Sequence, residues 1–202
     1  IEIGTSDFRT QAGQVDGVFI EPVKYYFDRL KNIVETTDLD FSGGIEHYAP
    51  IAFLENVAIS DYTGENTMYY VRRDEIEARS LPQWVGGCSS MGDYHPSVLA
   101  ICKQYGIKPE TLCESVMVPV VRIKSIIDKY NITALDLLKI DTEGHDCVIL
   151  NDYINTVDIL PDVIQFEANI LSDPNEVTKV INRLRPLGYT CNKVNDDMVC
   201  KL

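Results

Sequence analysis

The sequence lacks any apolar run of the length that a membrane-spanning helix needs, and it has no internal repeat or low-complexity tract. A span requires about 18 to 20 apolar residues, so we expect no membrane span. Basic residues are also scarce: 18 Lys and Arg stand against 31 Asp and Glu, a formal net charge of −13. This charge repels phosphate backbones, which argues against nucleic acid as a partner and favours a neutral or cationic ligand.

Cysteine never occurs in the CxxC spacing that is typical of structural zinc sites. A chain of 202 residues can bury a core large enough to fold without disulfides, so we expect free thiols and a cytoplasmic, reducing location. No secretory signal is visible, and the abrupt start inside an apolar strand predicts a domain that belongs to a longer polypeptide with other domains. The six cysteines are Cys88, Cys102, Cys113, Cys147, Cys191 and Cys200.

Short apolar runs alternate with segments of helical periodicity along most of the chain. This alternation predicts an α/β fold, a mainly parallel sheet with helices on both faces and an antiparallel hairpin at one edge. A two-residue turn at Asn195–Asp196 would place Cys191 directly opposite Cys200 in that hairpin. Strands are predicted near 1–3, 18–20, 53–59, 68–71, 116–123, 134–140 and 163–166, and helices near 23–34, 98–105, 124–130, 144–153 and 176–187.

Residues 74–115 are less regular than the rest of the chain and are rich in Pro and Gly. A long irregular stretch inside an ordered domain is often a lid or a binding loop. We therefore expect one domain over 1–202, with an acceptor-binding or lid insertion at 74–115.

Acidic residues end several predicted strands, at Glu21, Asp141 and Glu167, and Glu2 lies inside the first strand; such folds bind ligands at this edge of the sheet. Gly4 ends the first strand and would let the backbone approach a ligand, and Glu21 ends the second strand, where an acid can accept both hydroxyls of a ribose. The GxGxxG pattern is absent, which argues against a pyrophosphate and for a nucleoside without phosphate. An ordinary β-turn would explain Gly4 equally well.

The run from Asn56 to Asp61 ends a strand in small and polar residues that could border an adenine, with Asp61 accepting from its amino group. A capped turn would explain the same residues. A denser cluster follows the strand that ends at Ile140, where Asp141, Glu143 and His145 stand at the start of a helix. The helix dipole favours the acids but does not explain the histidine, which carboxylates can tune to act as a base near neutral pH.

These blocks resemble the FkbM-type family of S-adenosylmethionine-dependent methyltransferases, in family order and over nearly the whole chain. The resemblance implies a Rossmann-like class I methyltransferase fold, a seven-stranded sheet with an antiparallel last strand. It also implies methylation of a hydroxyl group, typically on a natural product or glycan. The matching stretches are IEIGTSDF, FIEP, NVAISDYTG, VPVVRIKSIIDKYNI, LLKIDTEGHDCVIL and VIQFEAN, of which KIDTEGHD is the most specific.

When the roles of the family's residues are carried over by position, the resemblance implies that one set of residues contacts the cofactor and that another set takes part in the reaction. His145 or Asp141 would be the base, with Glu143 orienting the acceptor. Thr5, Ser6 and Asp7 replace the glycine-rich motif of the family, which leaves the contacts of Ser6 and Asp7 open. The cofactor contacts would be Glu2, Gly4, Thr5, Ser6, Asp7, Glu21, Pro22, Ala58, Ile59 and Asp61, and the acceptor contacts Trp84, Ser89, Ser90, Tyr94, His95 and Glu167.

The expected acceptor is a sugar hydroxyl in a glycan, with a deoxyhexose such as rhamnose or fucose preferred. Carboxylates and hydroxyl-bearing residues suit a neutral sugar, and Trp84 and Tyr94 offer aromatic faces, although both could simply pack in the core or lid. No divalent metal is predicted. Two alternatives stay open: an NAD-dependent oxidoreductase or epimerase, against which the missing glycines count, and a catalytically inactive nucleoside-binding module.

Overall fold

The computed structural model describes residues 1–5, 10–37 and 50–202, so Ser6 and Asp7 lie outside the described residues. The strands are β1 (Glu2–Ile3), β2 (Gly17–Ile20), β3 (Ala52–Glu55), β4 (Ala58–Ile59), β5 (Gly64–Tyr70), β6 (Ser90–Met91), β7 (Glu114–Val121), β8 (Leu137–Ile140), β9 (Val163–Glu167), β10 (Thr190–Val194) and β11 (Asp197–Lys201). The helices are α1 (Lys24–Thr37), α2 (Arg73–Ala78), α3 (Pro96–Tyr105), α4 (Pro109–Leu112), α5 (Ile123–Lys129), α6 (Asp146–Thr156) and α7 (Pro174–Leu184), with 3-10 turns at Gln83–Gly87 and Arg185–Leu187.

Seven strands form a sheet in the order β10-β11-β9-β8-β1-β2-β3. The five strands from β9 to β3 run parallel, and β11 runs antiparallel to both of its neighbours. The predicted fold class is thereby confirmed, including the antiparallel last strand. None of the helices in the described part of the chain is both long and apolar enough to cross a membrane.

The centre of this sheet is buried on both faces, and its strands are mostly apolar, as in Gly17–Ile20 of β2. Phe19 packs with Leu30 of α1 on one face, while its neighbour Ile20 joins the cluster that contains Ile126 of α5 and Ile149 of α6. Each such side chain contributes about 1.5 to 3 kcal/mol through removal of its apolar surface from water. Burial on both faces holds the strand ends, and the side chains that follow them, in fixed positions.

A second sheet, of order β4-β7-β5-β6, is not predicted by the sequence. The sequence predicts one strand over 53–59, but the structure divides it between the two sheets. Asn56 marks the division, because its side-chain amide donates to the carbonyl oxygens of Glu21 (2.8 Å) and Pro22 (2.9 Å) and turns the chain away from β3. The insertion at 74–115 also contains more structure than its composition indicates, since α2, α3 and α4 lie within or across it around a small apolar core of their own.

The C-terminal hairpin has the predicted register, with Cys191 opposite Cys200 and their Cα atoms 3.9 Å apart. The expectation that all six thiols are free is wrong, because these two form a disulfide. Directly opposed residues in a non-hydrogen-bonded antiparallel pair bring their side chains close enough for this bond. The other four cysteines are free. The expected cytoplasmic location, which rested on free thiols, loses that support.

Candidate active site

Two cavities open beside the carboxyl ends of β1, β2 and β8. The first has a volume of about 270 Å³ and brings together residues from six separate stretches of the chain. Its shape depends on β4 and β6 of the small sheet as well as on the large sheet. Among the predicted site residues, its walls contain Gly4, Glu21, Pro22, Ala58, Ile59, Ser89, Ser90, Asp141, Glu143 and His145.

The second cavity, of about 390 Å³, lies next to the first. The two cavities share part of their lining, so a group bound in one would face a group bound in the other across a common boundary. The shared residues are Gly4, Gly87, Asp141 and Glu143. The second cavity adds Thr5, Trp84, Cys88, Ser97, Lys139, Glu167, Asn169, Ile170, Leu171 and Asp196.

Asp141 stands at this boundary directly after β8. Its side chain reaches the open cleft, but the surrounding protein displaces much of its hydration, and this burial raises its pKa to about 6. The positive charge of Lys139 opposes the rise, while the charges of Asp146 and Glu143 add to it. Asp141 is therefore mostly ionised at neutral pH and able to accept a proton.

Glu167, at the end of β9, has the opposite protonation state at neutral pH. Burial, with the negative charges of Glu143 and Asp141, raises its pKa to about 8. Its Oε1 accepts a hydrogen bond from the side-chain amide of Asn169 at 2.5 Å, whereas Oε2 is buried and has no hydrogen-bond partner among the described residues. A proton on that oxygen would let Glu167 donate a hydrogen bond to a bound hydroxyl.

Asp146, next to this cluster, has a structural role. Its buried carboxylate accepts from the backbone and hydroxyl of Thr142 and from the backbone N–H of Glu167 (3.2, 2.8 and 3.1 Å). These bonds tie the loop after β8 to the end of β9. They hold Asp141 and Glu167 at a constant separation.

His145 faces the first cavity, and its Nε2 lies 2.9 Å from the hydroxyl oxygen of Ser60. The Ser60 hydroxyl donates in turn to Asp61 at 3.2 Å, so the imidazole proton lies on Nε2 and points to Ser60. Burial lowers the pKa of His145, and the charge of Asp61 partly offsets this. A neutral histidine that lines only the first cavity is a weaker candidate for the base than Asp141, which lines both.

In the part of the chain that the structure describes, two groups of residues have the composition of a metal site. Asp141, Glu143 and Glu167 have carboxylate oxygens within 4.8 Å of one another. Oxygen clusters of this kind suit a hard divalent cation but are common without one, so we assign none, and the absence of a metal stays a prediction.

The other group is Cys88, His95 and Glu143. Its histidine is unsuited to metal binding. The backbone N–H of Ser97 donates to His95 Nδ1 at 3.1 Å, which places the ring proton on Nε2, the atom that would have to bind the metal.

Several predicted site residues lie away from the cavities. Glu2 is buried beneath the site, where Lys139 donates to its Oε1 (2.7 Å) and Thr10 and the backbone of Gln11 to its Oε2 (3.0 and 2.9 Å). It therefore anchors the chain after β1 and lines neither of the two cavities. Asp61 is exposed and does not line the first cavity, and its contact with adenine stays a prediction.

The predicted acceptor residues divide into three groups. Trp84 and Glu167 line the second cavity, as does Thr5, which was expected at the cofactor, whereas Ser89 and Ser90 line the first. Tyr94 lines neither, because its ring packs edge-on against Tyr69 with centroids 4.8 Å apart. His95 is buried behind Glu143.

Sequence reasoning missed other lining residues, among them Met68 and Asn169. Asn169 could have been found, since it lies two residues beyond the acid that ends β9. Met68 reaches the site only through the small sheet, which the sequence does not predict.

The charge of the residues that line the first cavity indicates which ligands it can bind. Its charged side chains are the carboxylates of Glu21, Asp141 and Glu143, and no Lys or Arg is among the described residues that line it. Negative walls stabilise a cation and repel a pyrophosphate. The strand order is that of a Rossmann-like methyltransferase fold, and the strand-end acids and this cavity lie at the carboxyl edge of its sheet, where such folds bind ligands.

Comparison with known families agrees with this class. The profile of the methyltransferase FkbM domain matches residues 4–191. The chain therefore belongs to the FkbM methyltransferase family, as the resemblance of its motifs implies. In the same comparisons no curated protein and no solved structure matches the chain.

Proposed function

We propose that the protein transfers the methyl group of S-adenosylmethionine to a sugar hydroxyl in a glycan, leaving S-adenosylhomocysteine. The observation that carries this proposal is the common boundary of the two cavities, where Asp141 and Glu143 face both. A donor in the first cavity and an acceptor in the second would meet at a residue able to take a proton. Holding two reactants in this way supplies much of the rate of a transfer reaction.

The first cavity fits the cofactor in its chemistry. Glu21 is 4% exposed and lies where an acid can accept the ribose hydroxyls, and Val23 N–H holds its Oε1 in place at 2.8 Å. Val57, Ala58 and Ile59 supply an apolar wall for an adenine ring. A sulfonium cation suits these surroundings better than the pyrophosphate of NAD, which weakens the oxidoreductase alternative.

Bound S-adenosylmethionine would supply an electrophilic methyl group. A sugar hydroxyl ionises far above neutral pH, so its proton must leave as the new oxygen–carbon bond forms and the carbon–sulfur bond breaks, with that electron pair going to sulfur. Asp141 receives the proton, because it is ionised at neutral pH and lines both cavities. Glu167, protonated at the same pH, donates a hydrogen bond that orients the acceptor.

The second cavity suits a neutral sugar. Glu167, Asn169 and Asp196 offer polar groups to hydroxyls, and Trp84 is 49% exposed, so its ring can cover the apolar face of a sugar. Lys139, the one basic residue among the described residues of this lining, is paired with Glu2 at 2.7 Å. A phosphorylated acceptor would therefore meet mainly carboxylates. A terminal deoxyhexose such as rhamnose or fucose combines hydroxyls with an apolar methyl group.

The test is incubation with methyl-labelled S-adenosylmethionine and a panel of acceptors: neutral oligosaccharides ending in rhamnose or fucose, phosphorylated forms of these, small phenols and macrolides. We expect label on the neutral oligosaccharides. Asp141→Asn should lower turnover about 10²- to 10⁴-fold and change the cofactor Kd much less. Glu77→Gln, which removes one exposed carboxylate from α2, is the matched control and should behave as the wild type.

Transfer to a phenol or macrolide with none to any sugar would overturn the acceptor. Cofactor binding without transfer to any compound would favour the inactive nucleoside-binding module. A chelator should leave turnover unchanged; loss that Mg²⁺ restores would show that the acids bind a cation.

A further inference from the structure

His95 uses both of its ring nitrogens inside the protein. It is 2% exposed and precedes α3, where its Nδ1 accepts from the backbone N–H of Ser97 at 3.1 Å as the N-terminal cap of that helix. A neutral imidazole with an accepting Nδ1 carries its proton on Nε2. That Nε2 lies 3.1 Å from Glu143 Oε2, so the ring donates to the carboxylate. The cap on Ser97 and the hydrogen bond to Glu143 together fix the orientation of the ring.

Glu143 needs such a partner. Its backbone has φ of +54° beside Gly144 at +98°, a left-handed turn that directs the side chain toward the cleft. The carboxylate lies near those of Asp141 and Glu167, and the negative charge of Asp141 repels it. Among the described residues, His95 is the only hydrogen-bond partner of this carboxylate.

We propose that His95 is a positioning residue, which holds the Glu143 carboxylate at the boundary of the two cavities. The proposal rests on the proposed function, in which that boundary is the place of methyl transfer. His95 belongs to the insertion and Glu143 to the loop between β8 and α6, so the hydrogen bond connects these two parts of the chain. The buried ring contributes through Glu143 and makes no contact with the acceptor.

Two substitutions separate the roles of the ring nitrogens. The amide of Asn occupies roughly the place of Nδ1, so His95→Asn keeps a cap on α3 but does not reach Glu143. The amide of Gln reaches the place of Nε2, so His95→Gln keeps a donor for Glu143 and gives up the cap. We expect His95→Asn to fold normally and to lose roughly 10²-fold in kcat, and His95→Gln to lose stability while keeping most of its turnover.

A double-mutant cycle with Glu143→Gln shows whether His95 acts through the glutamate. His95→Asn should lower kcat strongly in the wild type and only slightly in the Glu143→Gln variant, and within each background it should change the Kd for S-adenosylmethionine little. Equal losses in both backgrounds would overturn the proposal. So would an active His95→Asn together with an inactive His95→Gln, since His95 would then serve only as a helix cap.

Nitrogen NMR of the imidazole tests the bond without catalysis. The wild type should show a proton on Nε2 of His95, and its resonance should shift in Glu143→Gln. A resonance that does not respond to Glu143→Gln would overturn the proposal. A responsive resonance in a protein that methylates no sugar would support the positioning of Glu143 while the proposed function fails.

Discussion

Gly4 and Asp141 lie with their backbones in contact where β1 and β8 end side by side, and a Cβ added at Gly4 would overlap the carbonyl oxygen of Asp141. Gly4 also has φ of +79°, which side chains other than that of glycine rarely adopt. This contact sets the distance between the loop assigned to the donor and the residue assigned as the base. Both cavities depend on it.

Gly4→Ala should therefore lower the free energy of unfolding by about 3 kcal/mol or more, from backbone overlap together with the positive φ. The matched control is Gly92→Ala, because Gly92 has φ of +86° but nothing within 4 Å of an added Cβ. It should cost only about 1 to 2 kcal/mol. Urea denaturation of both variants measures the difference, and equal losses would show that Gly4 has room for a side chain.

Glu21→Gln should weaken binding of S-adenosylmethionine by about one to two decades, because a hydrogen bond to a charged group contributes roughly 1.5 to 3 kcal/mol. Glutamine keeps the size of the buried side chain. Asp61→Asn is the comparison, since Asp61 was expected at the adenine but lies outside the first cavity. Calorimetric titration should show little change for Asp61→Asn. Equal Kd values for Glu21→Gln and the wild type would remove Glu21 from the cofactor site.

Activity should depend on pH through Asp141 and Glu167. The rate should rise as pH passes about 6, where Asp141 loses its proton, and fall as pH passes about 8, where Glu167 loses its own. In Glu167→Gln the side chain stays neutral at every pH, so the alkaline fall should disappear while the acid limb remains. A profile of kcat/KM against pH checks this, and an unchanged alkaline limb in the variant would exclude Glu167.

Trp84 and Tyr94 should differ, although the sequence assigns both to the acceptor. Trp84→Ala should raise the KM for the sugar roughly 3- to 10-fold, because stacking on an aromatic ring contributes about 0.5 to 1.5 kcal/mol. Tyr94 packs on Tyr69, so Tyr94→Ala should lower stability and leave this KM unchanged. Steady-state kinetics measure the KM of each variant, and thermal denaturation measures its stability. A raised KM for Tyr94→Ala but not for Trp84→Ala would show that Tyr94, and not Trp84, contacts the sugar.

The large sheet could be predicted because burial makes its parallel strands short and mostly apolar, as in Gly17–Ile20. The small sheet could not, because the division of 53–59 depends on Asn56 reaching carbonyl groups more than thirty residues away in sequence. No local periodicity records such a contact.

In the candidate site, too, the features that depend on local sequence could be predicted and those that depend on tertiary contacts could not. Asp141, Glu143 and His145 stand out in the sequence as acids and a histidine at a strand end. The hydrogen-bond partners of these residues could not be predicted, because Ser60, the partner of His145, and His95, the partner of Glu143, come from distant segments of the chain. The cysteine register followed from the turn length, whereas the disulfide did not follow from composition.

The most direct test of the two-cavity assignment is a crystal structure with S-adenosylhomocysteine bound. We expect the ribose hydroxyls on Glu21, the adenine against the wall formed by Val57 to Ile59, and the sulfur directed at the boundary near Asp141, with the second cavity left for the acceptor. A cofactor that fills the cavity of Trp84 and Glu167, or that lies away from Glu21, would contradict the account.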